Sequence, residues 1–358
     1  MVNDDRHSLL EASRTGAAIF LILATFLLEG CGYLIDGIEW LLPKESSHDA
    51  VCSRESLEIA LSAGPYPPFV FPVMNTAGGP RVTGFDIDLI RAIERELQQH
   101  CAKPIRPVVR LVPFLELFAL MQERKVDLFI SATPANVAGA GRGGLAYTLP
   151  YFSTGGLTVV ARTPKIADVI RQRLSSKGVL VHASLARLEA MSGFRIAVVD
   201  GSSGAAYAAA NSTTDRFVVC NTLTAAFHAE TSVGQPADLI IGSSPVLTAM
   251  ARRHLHDWAL VTLDGNQPLL LTHENFSIVV REDRLHLLWF LNNLLFKLEE
   301  SGELRQLRSR WLDEEYDAGL RAVEEGLPVS DEAREEQERR SCYIGHSGFG
   351  RLRTLARE

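Results

Sequence analysis

One feature constrains this chain more than any other: short apolar runs alternate with longer amphipathic ones between Leu57 and Ala132. LEIALS (57–62) reads as a buried strand. GFDIDLIRAIERELQQH (84–100) places Ile87, Ile90, Ile93 and Leu97 at helical spacing. PVVRLVPF then reads as a strand, LELFALMQERK as a short helix and VDLFISA as a strand. Strands that run the same way need a crossover between them, and a helix is the usual one. This β-α-β-α-β order predicts an α/β fold on a mainly parallel sheet. A turn-rich AGPYPPFVFP separates the first strand from the first helix.

The alternation runs on. LTVVAR (157–162) is a strand, and residues 163–194 are largely helical in pattern. RIAVVDGSSGAAYAAA opens a second α/β set as strand, tight Gly-Ser turn and small-residue helix; TDRFVVC, TAAFHAE, ADLIIG and PVLTAMARR continue it. FSIVV (276–280) is a further strand, followed by two helices broken near Ser301-Gly302. After Leu312 the chain is charged and poorly periodic, and SDEAREEQERR reads as a solvated helix or a disordered tail.

Composition removes several classes. At 46% hydrophobic over 358 residues the chain can bury one large or two medium cores. A net charge of −7, with no basic stripe interleaved with aromatics, argues against a nucleic-acid partner. None of the cysteines at 31, 52, 101, 220 and 342 forms C-x-x-C, so no thiolate zinc site is expected. His254, His256 and Asp257 would share a face only on a strand, and a surface turn is the simpler reading; no metal is expected. Gly139, Gly141 and Gly144 spell G-x-G-x-x-G around Arg142, but the strand-like run before them ends seven residues early, at Ala132. The segment after them, through YTLPYF, lacks a helical period, so a dinucleotide is not expected, nor any other cofactor.

Gly16–Leu28, GAAIFLILATFLL, has the length of a secretory apolar region and is short for a membrane span. It runs into Leu28-Glu29-Gly30-Cys31, which resembles the lipobox of bacterial lipoproteins and implies a lipid on Cys31. Glu29 and the absence of net positive charge in the leader depart from that pattern, and the apolar GYLIDGIEWLL leaves an uncleaved anchor open. Export permits disulfides. Cys52, before the first strand, and Cys101, after the first helix, fall at one end of an α/β unit, so a bridge between them competes with two free thiols.

From about Leu57 to Leu312 the motif order resembles the family 3 solute-binding proteins, two-lobed receptors that serve ATP-driven importers. The resemblance is carried by YPPF, GFDIDLIRAI, KVDLFISA, YTLPYF, GFRIAVVDGSSG and GELRQLRSRWL in that order. It implies a periplasmic-binding-protein-like (type II) α/β fold with two crossover strands and a central cleft, placed outside a bacterial membrane. The implied divisions are a leader or anchor at 1–31, a linker at 32–56, lobe 1 at 57–160, lobe 2 at 161–272, the lobe 1 return at 273–312 and the tail at 313–358. The implied partners are a small-molecule ligand, an ABC permease and, through the N-terminus, the membrane.

The same resemblance nominates ligand contacts. Arg142 would fork onto a carboxylate, as a guanidinium does with two parallel hydrogen bonds, although its turn is longer than the family's. Ser202 and Ser203 open a helix whose free N–H groups suit an anion, or simply cap it. Phe69 would stack on the ligand or pack in the core, with Tyr66 a weaker candidate. Ser131 and Thr133 sit at a strand end, where α/β ligands bind. Asp86 and Asp88 suit helix-dipole and capping roles. The second lobe offers Ser243 and Ser244 where amino-acid binders offer a carboxylate, which favours a neutral or anionic ligand over an α-amino acid. Two other readings stay open. One is a dehydratase on the same fold, similar to the periplasmic cyclohexadienyl dehydratases, with Glu58, Asp86 or Asp200 as the acid. The other is an interaction module without a ligand.

Overall fold

The structure, a computed structural model, describes residues 51–75, 79–103, 105–135, 143–176, 190–211, 217–228, 236–253, 258–263, 267–312, 327–328 and 341–345. Its strands are β1 (Leu57–Ser62), β2 (Phe71–Asn75), β3 (Gly79–Thr83), β4 (Pro107–Val112), β5 (Leu128–Pro134), β6 (Leu145–Gly155), β7 (Leu157–Ala161), β8 (Ile196–Val199), β9 (Phe217–Cys220), β10 (Leu239–Ser243), β11 (Ala259–Leu260), β12 (Glu274–Arg281), β13 (Leu327–Pro328) and β14 (Cys342–Gly345). The helices are α1 (Phe85–His100), α2 (Phe114–Gln122), α3 (Pro164–Ser176), α4 (Ser203–Asn211), α5 (Leu223–His228), α6 (Ser244–Arg253), α7 (Leu285–Glu300) and α8 (Glu303–Leu312).

Two main sheets result, in the orders β4-β1-β5-β12-β6 and β11-β7-β10-β8-β9-β14. In the first, β1 runs parallel to β4 and β5, as the alternation requires, while the returning β12 is antiparallel to β5 and β6. β5 is buried at every position because both its faces are covered. The expected stripe of α1, Ile87, Ile90, Ile93 and Leu97, is buried. At about 1.5–3 kcal/mol for each large apolar side chain, that face fixes the helix on the sheet. Trp311 of α8 is buried and its indole N–H donates to Asp88 Oδ2 at 2.8 Å, with Arg91 and Arg310 also on that carboxylate. Asp88 therefore ties the end of the return segment to α1.

The chain passes between the sheets twice, at Gly155-Gly156 and at Thr272–Glu274. β7 belongs to the second sheet, where it pairs with β10 and β11, so the first passage lies a strand earlier than the boundary at 160 read from the sequence. The two passages touch. Leu157 N–H donates to Thr272 Oγ1 at 3.0 Å and Leu271 N–H to Leu157 O at 2.7 Å. A Cβ on Gly156 would fall 2.0 Å from Thr272 O, so only glycine permits this approach.

Three further differences from the sequence reading stand out. The turn-rich stretch after β1 contains half of a hairpin, β2 with β3. The tail contains strands: β13 pairs with β3, and β14 extends the second sheet by pairing with β9. A disulfide joins Cys220 and Cys342 across that last pair. Cys52 and Cys101 are also bonded, with Cα atoms 5.2 Å apart.

Candidate functional site

The sheets meet along a seam. On one side are the loop after β1, the start of α1 and the end of β5; on the other are the start of α4 and the end of β10. The returning passage crosses between them. The lobes are in contact here: a Cβ on Gly201, whose φ of 69° suits glycine, would sit 2.3 Å from Leu115 Cδ2 of α2.

Ser131 and Thr133 are both buried at the end of β5. Ser131 Oγ accepts from Ser62 N–H at 3.3 Å, and Thr133 Oγ1 donates to Ser131 O at 3.2 Å. Between them Ala132 has a φ of 43°, a left-handed conformation uncommon for a residue with a Cβ. Its N–H donates to the Tyr151 hydroxyl at 3.0 Å.

Asp86 lies at this point, fully buried, and among the described residues no hydrogen bond of normal geometry closes on either carboxyl oxygen. Burial pushes it up to about 7, while the nearby Tyr151 hydroxyl and Ala132 N–H pull the other way. Burial raises the Tyr151 hydroxyl as well, and the charge of Asp86 adds to it. Facing them from the return passage is Glu274, 2% exposed, with Oε2 unpartnered among the described residues. Burial pushes Glu274 up to about 7, against the pull of the Ser203 hydroxyl at the start of α4. Tyr66 sits among these groups. Burial raises it first, the charge of Glu274 next, and the Ser243 hydroxyl opposes the rise. Ser243 Oγ itself is buried without a hydrogen bond of normal geometry to any described residue.

The nominated residues separate into groups. Ser131, Thr133, Ser203 and Ser243 come to the seam. Ser202 does not face it: its Oγ donates to Val199 O at 2.6 Å and accepts from Ala205 N–H at 3.2 Å, which is a helix cap. Phe69 is fully buried, and its ring meets those of Phe85, Phe152 and Phe276 at 5.9, 5.3 and 5.2 Å. Its surface is taken up by core packing, so the stacking role is withdrawn. Arg142, Cys31 and the 254–257 histidine segment lie outside the described residues. Of the proposed acids, Glu58 pairs with Arg110 at 3.0 Å and Asp200 accepts from Tyr343, so Asp86 alone reaches the seam. Sequence reasoning misses Glu274. It is one acidic residue at a strand start, and no local pattern marks it.

A family model described as bacterial extracellular solute-binding proteins, family 3, matches residues 58–314. No curated protein sequence matches the chain. Among solved structures, holo ArgBP from T. maritima is 24% identical with a TM-score of 0.53, covering 70% of this chain and 93% of that one. The amino acid ABC transporter substrate-binding protein AbpA from Streptococcus pneumoniae, bound to L-arginine, is 19% identical with a TM-score of 0.57, over 76% and 98%. The ancestral amino acid-binding protein AncCDT-1, a precursor of cyclohexadienyl dehydratase, is 21% identical with a TM-score of 0.57, over 75% and 100%. At these identities the likenesses carry the fold alone.

Proposed function

Because the chain belongs to the bacterial extracellular solute-binding proteins, family 3, we propose that its lobes close on a small polar ligand held at their seam, for import or sensing. The fold is the two-lobed type II form. The observation that carries the reading is convergence: Ser131 and Thr133 are buried at the end of β5, and Glu274, on a passage between the lobes, lies against Ser203 of one lobe and Tyr66 of the other, which in turn meets Ser243. A ligand touching both lobes favours the closed arrangement by the affinity it adds there, which is what drives hinge closure.

Under this reading a carboxylate of the ligand would take Arg142 and the N–H groups at the start of α4. Removing one member of a buried charge pair costs about 2–5 kcal/mol, and at about 1.4 kcal/mol per tenfold Arg142→Ala should weaken binding at least thirtyfold. The sequence argument against an α-amino acid rests on Ser243 and Ser244 standing where a carboxylate is sought. Glu274 and Asp86 supply carboxyl groups from other elements, so that argument lapses. Among the described residues no helix is long and apolar enough to cross a membrane. An anchor at the N-terminus, a lipid on Cys31 and an ABC permease partner belong to the same proposal.

The test is a thermal-shift screen of the full chain against small polar compounds, followed by calorimetry. A ligand at a hundredfold over its Kd should add about 2.7 kcal/mol. A broad screen with no stabilising compound would refute capture and favour the interaction module. Asp86 and Glu274, both near 7, also have the acidity of general acids. That favours the dehydratase as the second reading, and turnover of prephenate or arogenate by the purified chain would establish it.

A further inference from the structure

Helix α7 (Leu285–Glu300) is apolar on two faces. Leu287, Phe290, Leu291, Leu294, Leu295 and Leu298 bury one of them against β6, α1 and α8. The other is open. Leu285, Trp289 and Phe296 of α7 and Leu149 of β6 are 44–57% exposed. At 3.6 residues per turn the three α7 positions fall within about 40° of one another around the axis, so they form one stripe. Half-buried Asn292 lies on the same stripe, and its Oδ1 accepts from Leu149 N–H at 2.7 Å, which brings Leu149 to the stripe's edge. A single exposed leucine needs no explanation, whereas four large apolar side chains gathered on one face mark a docking surface. All four belong to the lobe of the first sheet and none reaches the seam, so ligand capture does not account for them.

The two ends of the stripe carry opposite charge. The N-cap of α7, Arg284, makes no side-chain cap, and the first turn holds no acid. A helix start is itself partially positive. Asp283 beside it is held by Arg281 at 3.0 Å and Arg124 at 3.1 Å, so three arginines stand there against Asp283 and Glu282. At the other end are Glu299 and Glu300, where the helix dipole disfavours acids. Glu299 pairs with Arg308 at 3.1 Å, while Glu300 is exposed with no ion partner among the described residues. Turned end for end, this stripe matches itself: a positive start meets an acidic end at both places at once. An anionic lipid surface fits it less well, because its phosphates would meet Glu299 and Glu300 on a chain whose net charge is −7.

We propose that this stripe is where two copies of the chain pair, α7 against α7, antiparallel about a two-fold axis between Asn292 and Asn293. Trp289 and Phe296 are equally far from that axis on either side, so each Trp289 packs on Phe296 of the second copy. Leu285 and Glu300 are likewise equidistant, which brings Glu300 of each copy to the uncapped, arginine-flanked start of the other's α7. A contact of this kind uses the same patch on both copies and closes on itself as a dimer. It lies within one lobe, so the hinge of each copy stays free and the proposal stands apart from the capture reading. One helix face about 24 Å long and 10 Å wide is smaller than the roughly 800 Å² that each partner gives to a standard interface. The pair therefore forms where chains are concentrated and separates on dilution.

The experiment is cysteine cross-linking of the full chain in the intact envelope of the expressing cell, read by mapping the linked peptides after oxidation. Asn293→Cys should link to a second copy of itself, because the axis passes beside it. Leu285→Cys should not link to itself, but should link to Glu300→Cys when the two variants are expressed together, which only the antiparallel arrangement allows. Phe296→Asp, at an exposed position, should lower the Asn293→Cys link at least tenfold. Glu300→Arg should lower it as well, and adding Arg284→Glu to the same chain should restore it. A second measurement needs no new cysteine: sedimentation of the purified full chain should pass from one chain to two across the micromolar range, with Phe296→Asp remaining single. A Leu285→Cys self-link, an Asn293→Cys link indifferent to Phe296→Asp, or a parent chain that stays single throughout that range would each overturn the proposal. So would a chain that fails to pair but binds vesicles of equal phosphatidylglycerol and phosphatidylcholine through Phe296, which would give the stripe to a lipid surface.

Discussion

Asp86→Asn isolates the cost of the buried carboxyl without requiring any ligand. Asp86 rises from 3.8 to about 7 on folding. At about 1.36 kcal/mol for each tenfold change in proton affinity, that difference is on the order of 4 kcal/mol in favour of the neutral form. The sign follows from proton counting. Between pH 4 and 7 the folded chain holds a proton on Asp86 that the unfolded chain has lost, so stability falls as pH rises through that window. Above it the full penalty is present. The neutral amide of Asp86→Asn carries no such penalty at any pH. The variant should come close to the parent near pH 4 and exceed it at pH 8 by up to about 4 kcal/mol, or roughly 8–16 °C at the 2–4 °C per kcal/mol of a domain this size. Melting curves of both proteins from pH 5 to 8 provide the assay. A gap that does not widen with pH, or a variant less stable than the parent at pH 8, would show that Asp86 is ionised and paired in the folded chain.

Other substitutions probe the frame around the seam. Gly156→Ala should separate the two passages, because its Cβ would collide with Thr272 O. A melting temperature unchanged within a degree would count against that close crossing. Trp311→Phe keeps the ring but leaves Asp88 without its indole donor, a loss of about 1.5–3 kcal/mol for a bond to a charged group; denaturant unfolding measures it. Cys342→Ser should cost about 2–5 kcal/mol and release β14 from β9. Non-reducing peptide maps of the parent should recover Cys220 linked to Cys342, and recovery of either as a free thiol would refute the bond.

Much of the frame could be read from the sequence because its signals are local. The α1 stripe needs only four apolar residues at helical spacing, and β5 is a single continuous run. The seam was harder. Phe69 and Tyr66 lie three residues apart in one turn, and only the placement of Phe85, Phe152 and Phe276 decides which ring is consumed by the core. Asp86 carries the composition of a helix-start acid, and its burial depends on β5 and β6, distant in the chain. Glu274 is set by the geometry of the return passage. The tail misled for a related reason. Cys342 and its three followers are a short strand whose partner, β9, lies more than a hundred residues earlier, so no window of the sequence contains the pairing.

The two disulfides also set an order of events for a chain that emerges from its N-terminus. Cys52 and Cys101 are separated by 49 residues and Cys220 and Cys342 by 122. Closing the longer loop costs about 0.8 kcal/mol more chain entropy, but timing weighs more than this difference. The first pair is complete before either later cysteine has appeared, so neither Cys220 nor Cys342 can compete for it. Cys220 must then wait for nearly the whole remaining chain, including β12, α7 and α8. While it waits, it is a reactive thiol on an uncovered sheet edge. An exported chain stalled or cut short before Cys342 would keep that thiol, and disulfide-linked dimers through Cys220 are the product to expect from such truncation.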